Sequence, residues 1–314
     1  MDFAGIEDAQ LNRVQRDRAV RLLFTSPQIA VGEFHCPPDD PRWSEENCTE
    51  EGYFVAFPGT SVVIAHAGRE PAVTTRNEVV LYNRGQTYRR GLVDPCGDHC
   101  FFLMIAPTLL SEISVALGST RDEAPIAFSS HLGPMAASTF LLQRLIVRTL
   151  RSQAAVPDDL RVEEALYRLV SEASRIGFAG AHAKRRPTRR RTLRAHALVV
   201  EQTKVLLAKR FAERLSLAQI AREMHVSPFH LGRIFRGRTG FGIHEYRDQL
   251  RLRLALDRIF EREVALQALA LELGYASHSH FTDSFRRVFG IPPSAVRPSV
   301  RALSELGEKL VALP

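Results

Sequence analysis

Residues 216–236, SLAQIAREMHVSPFHLGRIFR, and residues 265–286, ALQALALELGYASHSHFTDSFR, are two copies of one pattern, and reading them decides the fold. Leu217, Ile220, Ala221 and Met224 recur 49 positions later as Leu266, Leu269, Ala270 and Leu273. Past the intervening turn the offset becomes 50, carrying Ser227, Leu231 and Phe235 onto Ser277, Phe281 and Phe285, so the second turn is one residue longer. Apolar residues three and four apart mark an amphipathic helix on each side of each turn. Ser227 before Pro228 is a strong start signal, because the Ser oxygen can accept an early backbone N–H while Pro sits where no donor is needed. Ser277 is expected to cap its helix likewise. Each copy therefore reads helix, turn, helix.

In the first copy Ala221 is small where two helices must cross, and Leu231, Ile234 and Phe235 return to the core. The outer face is left to Phe229, His230, Gly232, Arg233 and Arg236, and in the second copy to His278, Ser279, Thr282, Asp283 and Arg286. Such a basic and aromatic surface can enter a major groove, where Arg forks onto guanine N7 and O6. Between the copies, Ile243 to Glu261 contains no Pro or Gly and reads as a long helix. Successive major grooves lie roughly 34 Å apart on one side of B-DNA, so a stiff spacer would let one chain read two of them.

Gly240, Tyr246, Arg251-Leu252 with Ala255, and residues 274–297, GYASHSHFTDSFRRVFGIPPSAVR, resemble the AraC/XylS family of transcription regulators. The resemblance covers roughly the last third of the chain, from about Thr192 to Arg297. It implies two helix-turn-helix units inserted into adjacent major grooves, behind a cupin-like domain that senses and dimerises. It also implies activation as the commoner mode, RNA polymerase as a partner and promoter DNA as the target. Carried over by position, the base-facing places fall on Phe229, Gly232 and Arg233 and on His278, Ser279 and Thr282. This chain departs from the family pattern at Ile243, where Pro is common, at His225, where the turn often has Gly, and at Asp283, where a basic or polar residue is frequent. Gly232 inside a helix costs up to about 1 kcal/mol against Ala. Asp283 is repelled by phosphate but can accept from cytosine N4. His278 and His280, two apart on one helix, diverge and do not suggest a metal site.

The charge distribution agrees. From Lys184 onward there are 25 Lys and Arg against 12 Asp and Glu, a surplus of 13; since the whole chain carries +7, residues 1–183 carry −6. A basic half attracts polyanions through counterion release, so a nucleic-acid partner belongs at the C-terminal end. A hydrophobic content of 45% and a charged content of 25% are those of a globular protein, and no apolar run reaches the roughly 20 residues of a membrane helix. The beginning MDFAGIEDAQ shows no secretory pattern, and a cytoplasmic location without a membrane partner is the expectation.

From Ile29 to about Ile105, short β-prone runs such as Tyr53 to Ala56, Ser61 to Ala65, Val79 to Tyr82 and Phe101 to Ile105 are broken by Pro, Gly, Asn and Asp. They predict a small antiparallel barrel. Leu109–Leu117, Met135–Arg151 and Asp159–Arg175 then show helical periodicity and could serve a homodimer. Between Gly177 and Arg194 lies a basic run, Lys184-Arg-Arg-Pro-Thr-Arg-Arg-Arg, read as a tether that touches phosphate. The expected fold class is thus two-domain: an N-terminal cupin-like antiparallel β-barrel with flanking helices, then an all-α domain of two helix-turn-helix units joined by a long helix. The expected boundaries are 1–178 for sensing and dimerisation (barrel about 20–106, helices about 107–176) and 179–191 for the linker. The reader is expected at 192–300, with its units at 216–239 and 265–289, and 301–314 is a tail.

Cys36, Cys48, Cys96 and Cys100 all lie in the acidic half, and in a cytosolic chain they are expected reduced. Cys96, His99 and Cys100 form the one constellation that could serve thiol or metal sensing, against a plainer reading as a turn residue and a small buried residue. A metal-dependent cupin enzyme would need a His-x-His pair and a following Glu, and His66 has neither. No Gly-x-Ser-x-Gly elbow or GxxxxGK loop is present. The expectation is a regulator without catalytic residues, metal or cofactor, with an organic effector possible in the barrel.

Overall fold

A computed structural model of the 314-residue chain describes residues 5–49, 52–118, 127–152, 159–178, 190–261 and 264–296. Of the expected linker 179–191, residues 179–189 lie outside the described residues, as do Arg297 and the tail 301–314, while Arg190 and Arg191 open a helix instead of continuing the linker. Contacts divide the chain into two compact units, residues 1–135 with 150–185 and residues 136–149 with 186–314.

The first unit opens with a helix, α1 (Asp8–Arg16), followed by β1 (Val20–Thr25), β2 (Ile29–Cys36), β3 (Asn47–Cys48), β4 (Tyr53–Pro58) and β5 (Val62–His66). Next come β6 (Ala72–Thr74), β7 (Glu78–Tyr82), β8 (Thr87–Leu92), β9 (Asp98–Ile105), a helix α2 (Pro107–Ala116) and β10 (Leu132–Pro134). One sheet runs β1-β2-β9-β4-β7-β10 and the other β3-β8-β5-β6, with antiparallel pairing throughout. β9 is central, paired on one side with β2 over eight residues, from Ile29 opposite Ile105 to Cys36 opposite Asp98, and on the other with β4. Its continuous apolar run Phe101–Ile105 is buried, as a strand covered on both faces requires. Val62, Ile64, Val80, Tyr82 and Phe102 form the core between the sheets, the cupin-like arrangement expected. Alpha helix α4 (Asp159–Phe178) buries Val162, Leu166, Leu169, Val170 and Ala173, a stripe at helical spacing. Helix α1 and strand β10 had no counterpart in the sequence expectation; β10 is three residues long, too short to show a period.

A buried and a half-buried imidazole sit beside this core. His66 is 2% exposed and meets His131 edge to face at 4.9 Å, with Tyr82 also at 4.9 Å. Burial, then the neighbouring His131 and Arg69, lower His66 to about 3; burial, then Arg69, lower His131 to about 4. Both stay neutral in the folded chain, whereas in the unfolded chain they take up protons below about 6.5. Stability supplied by these two groups is therefore complete above pH 6.5 and is lost as pH falls from there toward 4 and 3. Urea unfolding followed through Trp43, the chain's one tryptophan, should show a midpoint that drops across that window and a shallower drop in His66→Phe. An identical slope in the variant would contradict the assignment.

The second unit begins with α3 (Ala137–Arg151), whose residues to 149 it contains, and continues with α5 (Arg190–Lys209), α6 (Leu217–Glu223) and α7 (Pro228–Thr239). It ends with α8 (Ile243–Glu261), α9 (Leu266–Glu272), α10 (His278–Phe289) and a short 3-10 turn at Pro293–Val296. On α8, Ile243, Tyr246 and Leu250 join Ile220, Ala221, Leu231, Ile234 and Phe235 in one apolar cluster. Leu252, Ala255, Leu256 and Ile259 continue the buried stripe along the helix.

Helix α3 meets α8 further along the same stripe, past Leu250. Phe140, Arg144 and Arg148 recur every four residues; Arg253 lies 5.0 Å over the Phe140 ring, Arg144 Nε is 2.8 Å from Asp257 Oδ1, and Arg148 lies 5.1 Å over Phe260. Met135–Arg151 was expected with the first domain, because its apolar stripe suited either partner. The acid on α8 that its arginine meets is 113 positions away, beyond the reach of any local pattern.

Two arginines one turn apart on α8 fasten the connection between α5 and α6. Arg247 Nη1 donates to the carbonyls of Leu215 at 3.1 Å and Glu213 at 3.3 Å. Arg251 Nε donates to Phe211 O at 2.6 Å and its Nη2 to Glu213 O at 3.2 Å. The turn of the second repeat closes on the same connection. Gly274 stands at φ 80°, and a Cβ there would lie 2.0 Å from the carbonyl oxygen of Ala212. The equivalent residue of the first repeat is His225 at φ 54°, a left-handed position that costs a non-glycine residue about 1 kcal/mol. Gly274→Ala should lose about 3 kcal/mol from the left-handed backbone and the overpacking together. His225→Gly should change stability by no more than about 1 kcal/mol. Chemical denaturation of the two variants should separate them clearly; equal losses would mean that Gly274 does not meet the α5–α6 connection this closely.

Candidate nucleic-acid interface

The repeat seen in the sequence is a repeat of hydrogen bonds. Val226 N donates to Ala221 O and Tyr275 N to Ala270 O, both at 3.0 Å. The Ser227 and Ser277 hydroxyls each cap the following helix by accepting from His230 N and His280 N, both at 3.2 Å. Gly240 and Gly290 end α7 and α10 in the left-handed conformation, at φ 78° and 76°. Only the first helices differ at their start: Ser216 and Gln219 form a reciprocal capping box on α6, while Ala265 gives α9 no side-chain cap.

Each second helix buries one side and presents the other. On α7, Leu231, Ile234, Phe235 and Thr239 face inward, and on α10 Phe281, Ser284, Phe285 and Phe289 do so. Phe229, Arg233 and Arg236 are exposed, while His230 and Gly232 are half-buried. His230 is steadied by His196 of α5 at 4.9 Å, and Arg233 Nη2 lies 3.4 Å from its Nδ1. On α10, His278, Ser279, Asp283 and Arg286 are exposed; Thr282 is half-buried, its Oγ1 without a hydrogen-bond partner among the described residues. All ten candidate residues thus lie on the outer sides or edges of the two second helices.

Arg238, exposed in the last turn of α7 but on the other side of the helix from Arg233 and Arg236, adds to the positive charge of this end and escaped the sequence reading. The signal for it was available: α7, PFHLGRIFRGRT, holds three arginines and no acid. Arg287, by contrast, is turned toward its own chain, with Nη2 3.5 Å from Asp248 Oδ2 on α8. Tyr275 OH donates to the other oxygen of that carboxylate at 2.7 Å, so Asp248 ties the second unit to the spacer.

In the first unit a cavity of about 350 Å3 is lined by Val20, Phe34, Phe54, Tyr82, Tyr88, Cys100 and Phe102, with Arg13 and Asp17 also on its wall. Nearby, Arg90 and Asp98 form a buried ion pair at 3.1 Å, and Arg90 Nη2 donates to Tyr88 OH at 2.7 Å. Burial pushes the Cys100 thiol well above its ordinary range. Antiparallel register explains why Cys96, His99 and Cys100 do not converge. Cys100 pairs with Phe34 and turns to the cavity, His99 pairs with His35 on the opposite face and stacks on it at 3.8 Å, and Cys96 is exposed in the turn. Among the described residues no three His, Cys, Asp or Glu side chains are grouped as metal ligands.

Residues 220–299 match the family model described as a helix-turn-helix domain. The chain is 32% identical over 85 residues to the HTH-type transcriptional regulator GlxA of Rhizobium meliloti, covering 27% of this chain and 25% of that one. It is 20% identical over 260 residues to the thermoregulatory protein LcrF of Yersinia pestis, covering 79% and 89%. A crystal structure of an AraC-type transcriptional regulator from Chromobacterium violaceum aligns at 27% identity and a TM-score of 0.31, over 32% of this chain and 89% of that one. The match spans less than half the length of several curated relatives, 12%, 25% and 42% of three of them. Over residues 220–299 the chain thus carries a helix-turn-helix domain similar to that of AraC-type transcription regulators.

Proposed function

We propose that the chain is a sequence-specific DNA-binding transcriptional regulator, an activator that works as a cytoplasmic homodimer and contacts RNA polymerase at a promoter. The observation that carries this reading is the pair of second helices, alike in their caps and their inward residues, each holding its outer side free of its own core. α8 spans 19 residues, about 28 Å, with a buried stripe serving the first unit near its start and continuing to its end. That length is of the order of the separation between successive major grooves.

The first unit supplies the signal. Its cavity is large enough for a small organic molecule, with aromatic walls for an apolar body and Arg13 and Asp17 for a polar group. A ligand that prefers one arrangement of the chain shifts its population by the difference in affinity, which is all that regulation requires. Catalysis has no part in this reading.

Binding-site selection from random duplexes, with the purified protein, tests the reading directly. A defined sequence should emerge, and Arg233→Ala should weaken binding to it by about 1–3 kcal/mol and relax the preference at one position. Equal weakening on all DNA would reduce Arg233 to a phosphate contact, and recovery of no sequence at all would overturn the regulator reading.

A further inference from the structure

Phe229 is 82% exposed, more than any other large hydrophobic residue among those described as exposed, and nothing in its own helix turn covers it. It stands second in α7, directly after Pro228, at the end of the helix where backbone N–H groups point outward. Arg233 and Arg236 follow at four and seven residues, so all three side chains share one stripe. None of Arg233, Arg236 and Arg238 forms an ion pair with a described residue, and α7 contains no acid to form one. The apolar ring is thus embedded in a surface whose charge complements a polyanion and would repel a second copy of itself.

Gly232 adds an independent observation. A Cβ built there meets nothing within 4 Å, so no contact inside the chain requires glycine, although the residue lies mid-helix where Ala would be more favourable. The missing side chain leaves a bare strip of backbone between Phe229 and Arg236, on the side of α7 that faces outward.

We infer that Phe229 is a specificity-determining residue that packs on the 5-methyl group of a thymine in the major groove, and that Gly232 is kept bare to let the helix approach closely enough for that contact. The inference rests on the proposed DNA-binding function and deepens it. In the major groove the thymine methyl is the one apolar group that distinguishes a base pair, and a phenyl ring is a side chain able to use it. Arg233, one turn further on, then meets a neighbouring guanine, so the first unit reads thymine and guanine within one short step of DNA. The ring offers no hydrogen bond, so its contribution disappears when the methyl is removed and nothing else in the base pair is changed.

Uracil lacks only that methyl. The best duplex from binding-site selection is therefore remade with single thymine-to-uracil replacements and titrated, at one fixed salt concentration, with wild-type protein, Phe229→Ala and Gly232→Ala. At one position, uracil should weaken wild-type binding about fourfold, the worth of one buried methyl. Phe229→Ala should bind the thymine duplex about as weakly, and uracil at that position should cost this variant less than twofold more. Gly232→Ala should melt at the same or a higher temperature than wild type and yet lose the uracil effect. Phe229 is exposed, so both variants are expected to fold, and their melting curves check this. If the protein selects a sequence but no uracil effect depends on Phe229, the inference is overturned while the regulator reading stands. If Phe229→Ala instead changes the oligomeric state in sedimentation, the ring covers another protein surface and the inference is likewise overturned. If no sequence is selected, both fall.

Discussion

The reader unit depends on how the backbone carbonyls of Phe211, Glu213 and Leu215 are satisfied. These groups lie between two helices, where no regular ladder can reach them, and a carbonyl shielded from water without gaining a donor costs about as much as a lost hydrogen bond. Arg247 and Arg251 supply the donors from successive turns of α8. The guanidinium suits this use because it carries several donors in a fixed plane and stays charged; burial and the nearby Arg247 lower the Arg251 value, but from a starting point far above neutrality. Through them the spacer helix is bound to the entrance of the first helix-turn-helix unit, and Gly274 lets the turn of the second unit rest on the same segment. Arg251 also lies 5.5 Å over the Tyr275 ring. Both units are thus referred to one short piece of backbone.

Rigidity of this kind has a consequence for recognition. A helix placed in a groove by a flexible tether loses orientational freedom on binding, whereas one already fixed relative to its twin has less to lose. Asp248 contributes in the same sense, holding Tyr275 and Arg287 of the second unit from the spacer. Arginine is therefore divided between two duties in this unit: Arg247, Arg251 and Arg287 build the frame, while Arg233, Arg236 and Arg238 are exposed and form no ion pair with a described residue. Further along α8, Arg144 of α3 pairs with Asp257 and Phe140 lies under Arg253, so the charged end of the buried stripe is also partnered.

Much of the reader was legible in the sequence because its information is local. Ser227 and Ser277 announce helix starts, the recurring Leu and Phe positions fix the inward side, and what remains must face out. The strands were legible where they are long and apolar, as at Phe101–Ile105, and not where they are two or three residues long, as at Asn47–Cys48 and Leu132–Pro134. The pairing of His66 with His131 could not be read, since the two lie 65 positions apart and meet only after β10 has joined the sheet beside β7. Nor could the destiny of individual arginines: Arg286 and Arg287 are adjacent and both exposed, and only the position of Asp248 on another helix gives Arg287 an acid within reach. The Cys96–Cys100 segment shows the converse, a dense local motif that register pulls apart, because alternate residues of a strand face opposite sides.

The rigid pairing of the two units is tested most directly by hydroxyl-radical footprinting of the selected duplex with the intact protein. Each bound chain should protect two tracts on one face of the DNA, about 10 base pairs apart from centre to centre. A single tract for each chain, or two tracts on opposite faces, would contradict a pair of readers held by one spacer helix.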